Sequence, residues 1–126
     1  MQFRFFSTLS LLAALAGPAR AQTAPLAPAA QAAVTSQAQR MAQELGLSAD
    51  QHARLRNVLV LTRQHMDTDL KTHHEDPAAL RTAMAFDRAK SDELIRGVLT
   101  PAQYVRYQQL KAARIGQLHS TSQVGR

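Results

Sequence analysis

Apolar positions recur with a helical period in four stretches, separated by short runs of turn-forming residues. The longest covers residues 48–73, where Leu55, Leu59, Thr62, Met66 and Leu70 follow one another at spacings of four, three, four and four. At about 100° per residue these positions form one narrow stripe on a helix. Residues 77–98 repeat the pattern with Leu80, Met84, Leu94, Ile95 and Val98, interrupted by Asp87 and Ser91 where apolar residues are expected. Between the two, Glu75, Asp76 and Pro77 spell a turn in which Asp76 caps the third helix and Pro77 takes its first position. Shorter helices are predicted over residues 37–45, ended by Gly46, and over residues 100–116. No strand-like alternation occurs. The pattern predicts an all-α fold, an antiparallel long-helix hairpin with two short flanking helices.

Two of the helix starts share one spelling. Leu47-Ser48-Ala49-Asp50-Gln51 and Leu99-Thr100-Pro101-Ala102-Gln103 both read L-[ST]-x-x-Q. In each, the Ser48 or Thr100 hydroxyl can accept from the backbone N–H three residues on. The Gln51 or Gln103 side chain can reach back to the cap N–H, which completes a capping box. Leu99 has Tyr104 to staple against, whereas Leu47 has only His52. As an isolated box, each copy is expected to stabilise its helix through the Ser or Thr cap more than through the Gln.

Residues 1–21 read as a secretory signal peptide. Arg4 supplies the basic start, residues 5–16 a short apolar run, Gly17 and Pro18 a break, and Ala19-Arg20-Ala21 an A-x-A cleavage site. The apolar run is too short to span a bilayer. The expectation is periplasmic export without a membrane span after cleavage. There is no Cys, hence no lipid attachment site and no disulfide. Residues 22–36, uncharged and rich in Ala, Pro and Gln, read as a flexible tether, residues 37–116 as the helical domain and residues 117–126 as a disordered tail.

Charge narrows the function classes. Losing Arg4 and Arg20 with the leader leaves 13 basic against 9 acidic residues and takes the net charge from +6 to +4. With two Tyr and no Trp there is no interleaved basic and aromatic patch, so nucleic acid is not an expected partner. No motif for nucleophilic catalysis or phosphate binding is present, and the acid pairs Asp67/Asp69 and Asp92/Glu93 stand too close in sequence to face one cleft. The chain is not expected to be an enzyme. Asp87, the one acid on an apolar stripe, needs a partner such as Arg63 or an arginine of a neighbouring subunit.

Over residues 40–115 the paired L-[ST]-x-x-Q boxes, together with the export signal, resemble the LTxxQ-motif family of Spy/CpxP-like periplasmic stress proteins. The second box, continuing as Tyr104-Val105-Arg106-Tyr107, is the closer match. The resemblance implies an ATP-independent chaperone or envelope-stress adaptor, dimeric and cradle-shaped, whose partners are unfolded envelope proteins and a sensor kinase. Client binding then falls to basic residues beside the apolar stripes, Arg56, Arg63, Arg81 and Arg88, and to apolar residues off the stripes, Val60, Leu61 and Phe86. Ordinary packing against the flanking helices would account for the apolar three equally well. A separate reading is metal binding. His65, Asp69 and His73 lie at i, i+4 and i+8 on one line of the second helix, a donor set for zinc or another divalent metal as the only cofactor.

Overall fold

The structure is a computed structural model that describes residues 25–124. Four helices account for nearly all of them: α1 (Pro28–Leu45), α2 (Ala49–Thr72), α3 (Pro77–Val98) and α4 (Pro101–Val124). There is no strand among the described residues. The leader, residues 1–21, lies outside the described residues.

Four of the predicted boundaries follow the capping signals, the Thr100 box at the start of α4 among them. Gly46 closes α1 in the left-handed region at φ 64°, where a residue without Cβ is at no disadvantage, and the Leu47 N–H returns to the Ala42 carbonyl at 3.0 Å. Asp76 accepts from the Ala79 N–H at 3.0 Å, with Pro77 at the first position of α3. Ser48 and Gln51 form the full box on α2.

The flanking helices are not short. α1 begins at Pro28, so residues 28–36 are helix rather than tether. The prolines and the absence of charge suggested a tether, but Pro28 occupies an N-terminal position where its missing N–H costs nothing, and the alanines that follow are the best helix formers. Ala30, Val34 and Ala38 extend the buried stripe of Met41 and Leu45 backwards by about three turns. α4 likewise runs on to Val124, through most of the segment expected to be a disordered tail.

α2 packs against both α1 and α3, while α4 touches α1 and α3 more sparingly. Along the α2–α3 contact, Gln51 meets Val98, Arg54 meets Gly97 and Asp69 meets Asp87, so the two helices run in opposite directions. The core gathers at the end where the boxes lie. Val34, Ala38, Met41 and Leu45 of α1 meet Leu55 and Leu59 of α2 and Ile95, Val98 and Leu99 from the end of α3. Leu55 is fully buried. Tyr104, Tyr107 and Leu110 bring α4 onto this cluster.

The duplicated box is the joint of this end. Each Gln carbonyl oxygen accepts from its own cap N–H, Ser48 at 3.0 Å and Thr100 at 2.9 Å. The two side-chain amides also bond each other, Gln51 Nε2 to Gln103 Oε1 at 2.7 Å and Gln103 Nε2 to Gln51 Oε1 at 3.3 Å. Each Nε2 donates once more, Gln51 to the Val98 carbonyl at 3.1 Å and Gln103 to the Gly46 carbonyl at 3.4 Å. Val98 and Gly46 stand two residues before the caps of the opposite boxes. The pairing is therefore pseudo-symmetric: each box closes its own helix start and satisfies an end carbonyl in the other half.

Candidate functional site: a four-helix groove

Away from the joint the helices enclose a groove of about 670 Å³. Its floor continues the stripes that form the core. Leu59 and Ile95 are buried, Met66 is half-buried and Leu70 is 46% exposed, so the stripe of α2 passes from core into open groove as it leaves the joint. Val34 and Met41 of α1 line one wall, and Tyr107 and Ile115 of α4 the other.

Four cations, Arg63, Arg88, Lys111 and Arg114, stand in this lining against two acids, Asp67 and Asp92. Arg63 pairs with Asp67 one turn on at 2.9 Å. Asp92 accepts from the Tyr107 hydroxyl at 2.7 Å and from Lys111. Arg114 reaches Glu44 of α1 at 2.6 Å. These last contacts tie α4 to α3 and to α1. Burial, reinforced by the hydrogen bond to Asp92 and by that acid's charge, pushes the Tyr107 phenol well above its ordinary value of 10.0, so it remains a donor at any working pH.

The structure distributes the expected binding residues over different surfaces. Arg63 and Arg88 line the groove; Arg56 and Arg81 are exposed and outside it. Val60 is partly buried against the core cluster, as ordinary packing requires. Leu61 (39% exposed) and Phe86 (70%) lie on the opposite side, continuing by helical spacing the shallow face of Arg54, Asn57, Val58, Lys90 and Leu94. Leu94, read from the sequence as a stripe residue, is 36% exposed on that side. Lys111 and Arg114 lie within the predicted fourth helix but were missed, because no pattern within that helix shows which face it turns to the groove. The capping residues Leu47, Ser48, Gln51, Leu99, Thr100 and Gln103 all sit in the joint, outside the groove.

Asp87 is buried, 9% exposed, as its place on the stripe implies, but its neighbours are not the expected ones. Arg63 is engaged with Asp67, and Asp87 instead faces Asp69 and His65 across the α2–α3 contact. One of its oxygens, Oδ2, has no hydrogen-bond partner. Burial raises its pKa above the ordinary 3.8, and the hydrogen bond to Asp69 and that group's charge raise it further; His65 acts weakly in the opposite sense. The third residue of the metal reading, His73, is the C-cap of α2. Among the described residues no three His, Asp or Glu side chains stand close enough to hold a metal ion. No described helix is long and apolar enough to cross a membrane. Compared with protein-family models, curated proteins and solved structures, the chain matches none of them.

Proposed function

We propose that this chain is an ATP-independent chaperone or envelope-stress adaptor that holds unfolded polypeptide in the four-helix groove. The observation that carries the reading is the lining itself, an apolar surface with two methionines edged by more cations than acids. Methionine and leucine side chains accept many apolar shapes, which suits a partner without fixed structure. The surplus positive charge draws in chains at long range before the apolar contacts form. A polypeptide would lay side chains on the floor and keep its backbone at the open mouth, where water satisfies its amides. Of the residues expected from the sequence, Arg63 and Arg88 serve this role; Lys111 and Arg114 join them.

In this reading the chain is a periplasmic homodimer. Its α2–α3 hairpins pair through the face opposite the groove, where Leu61, Phe86 and Leu94 are exposed, and both grooves stay open. Light scattering of residues 22–126 at micromolar concentration should report twice the monomer mass, and Leu61→Asp should return it to a folded monomer. A wild-type monomer rules this arrangement out. The chaperone reading is tested by diluting a chemically unfolded protein into buffer with and without residues 22–126 and following turbidity. Suppression at a few-fold molar excess is expected. Unchanged aggregation overturns it.

A further inference from the structure

Three of the four groove cations are neutralised by acids of the chain, and one is not. Arg88 has neither an ion pair nor a hydrogen bond among the described residues. The acid one turn ahead of it, Asp92, is at the spacing that ordinarily pairs with an arginine on a helix. Asp92 is occupied by the Tyr107 hydroxyl and Lys111. Asp87, next in sequence, is buried against α2 beside Asp69. The groove therefore offers one uncompensated guanidinium above an apolar floor.

We propose that the groove binds one molecule of a free, single-chain carboxylate amphiphile of medium length, a fatty acid, with its head on Arg88 and its tail running towards Ile95. Charge complementarity sets the head: one free cation calls for one anion, and a guanidinium receives a carboxylate through two parallel hydrogen bonds. The floor sets the tail. From Arg88 to Ile95 is seven residues of α3, roughly 10 Å at 1.5 Å per residue, about the length of an extended eight- to ten-carbon chain. Leu59, Met66 and Met41 line the same groove and carry no polar group. Of the polar lining residues near that path, Ser91 is buried, Thr62 donates to the Val58 carbonyl, and Asp92 is already engaged by Tyr107 and Lys111. The volume of about 670 Å³ falls in the usual range for small-ligand sites. The proposal uses the groove assigned above to polypeptide but does not depend on that assignment, and a bound amphiphile would compete with a client.

Decanoate, kept below its micelle concentration, is titrated into residues 22–126 by calorimetry. One molecule per chain should bind with a Kd tighter than about 1 mM. Affinity should rise by about fourfold for each methylene from octanoate to decanoate. Arg88→Gln should weaken binding by at least about tenfold, and Arg56→Gln, outside the groove, should leave it unchanged. Methionine-methyl NMR keeps the test independent of any variant's folding: on titration the Met41 and Met66 signals should shift, and that of Met84, outside the groove, should not. No binding at 1 mM, equal affinity in Arg88→Gln, or an unmoved Met66 signal overturns the proposal, as does attachment only to vesicles of anionic phospholipid. Because turbidity is measured without amphiphile, failure of either assay leaves the other reading standing.

Discussion

Gln51 and Gln103 carry more than the sequence assigns them. A capping box is a local motif, so reading it alone ranks the Thr100 cap above Gln103. In the fold, Gln103 accepts from Thr100 and Gln51 and donates to Gln51 and Gly46, and removing it strands groups in both halves. Gln103→Ala should therefore cost about 2–3 kcal/mol, more than the roughly 1 kcal/mol expected for Thr100→Ala. Urea unfolding of the two variants checks the order, and a double-mutant cycle with Gln51→Ala should show coupling above about 0.5 kcal/mol. Asp87 gives a second residue-level prediction. Its proton is held more tightly in the folded chain than in the unfolded one, so it contributes stability below pH 3.8 that is lost as pH rises through its raised value. Asp87→Asn removes that loss and can donate to Asp69. It should raise the melting temperature at pH 7 by a few degrees and flatten its fall between pH 4 and 7. A melting temperature lowered at pH 7 would contradict this account. That Asp87 is interior was legible from its place on the stripe. Its partner was not, because register across a helix pair is set by the turn and the core, which no one-helix pattern contains.

Helices α2 and α3 were legible nearly to the residue, since each begins at a side-chain cap and carries a helical apolar stripe, in α3 despite the polar Asp87 and Ser91. α1 and α4 were cut short for different reasons. In α1, Ala30, Val34 and Ala38 are small or isolated enough that their spacing does not register beside two prolines, although Ala38 is completely buried. In α4 the sequence beyond Ile115 lacks an apolar period. The attachment of α4 is also unlike that of the other helices. Beyond the Gln103 joint and the packing of Tyr104, Tyr107 and Leu110, it relies on Asp92 of α3 and Glu44 of α1. Asp92→Ala should loosen α4 selectively. Amide exchange over residues 105–115 should quicken several-fold while Leu55 and Ile95 stay protected, with a global cost of about 1 kcal/mol. Uniform acceleration along the chain would show instead that α4 is not a separate unit.

At the scale of the molecule, the apolar stripes serve two ends. Near the joint they are buried and hold four helices together; further out the same stripe is uncovered and becomes the floor of the groove. Burying only the first half leaves a small core, with Leu55 as its one large side chain sealed off entirely. Composition and period gave the all-helical class, and a basic surface beside apolar residues was foreseen. Which cations share it was not, because Lys111 and Arg114 come to the groove only through the placement of α4 against the other helices. Arg56 and Arg81, on the same helices as Arg63 and Arg88, are turned out of it.

In the proposed function, unfolded chains are held in this groove and not elsewhere on the surface. Met66 lies half-buried on its floor, where a carboxylate would oppose apolar contact without emptying the core. The decisive measurement is turbidity of an aggregating client in the presence of the wild type, Met66→Asp and Arg56→Gln, each matched for helicity by circular dichroism. Met66→Asp should lose most of its protective effect while Arg56→Gln keeps it. Protection by a folded Met66→Asp variant equal to that of the wild type would contradict the proposed function.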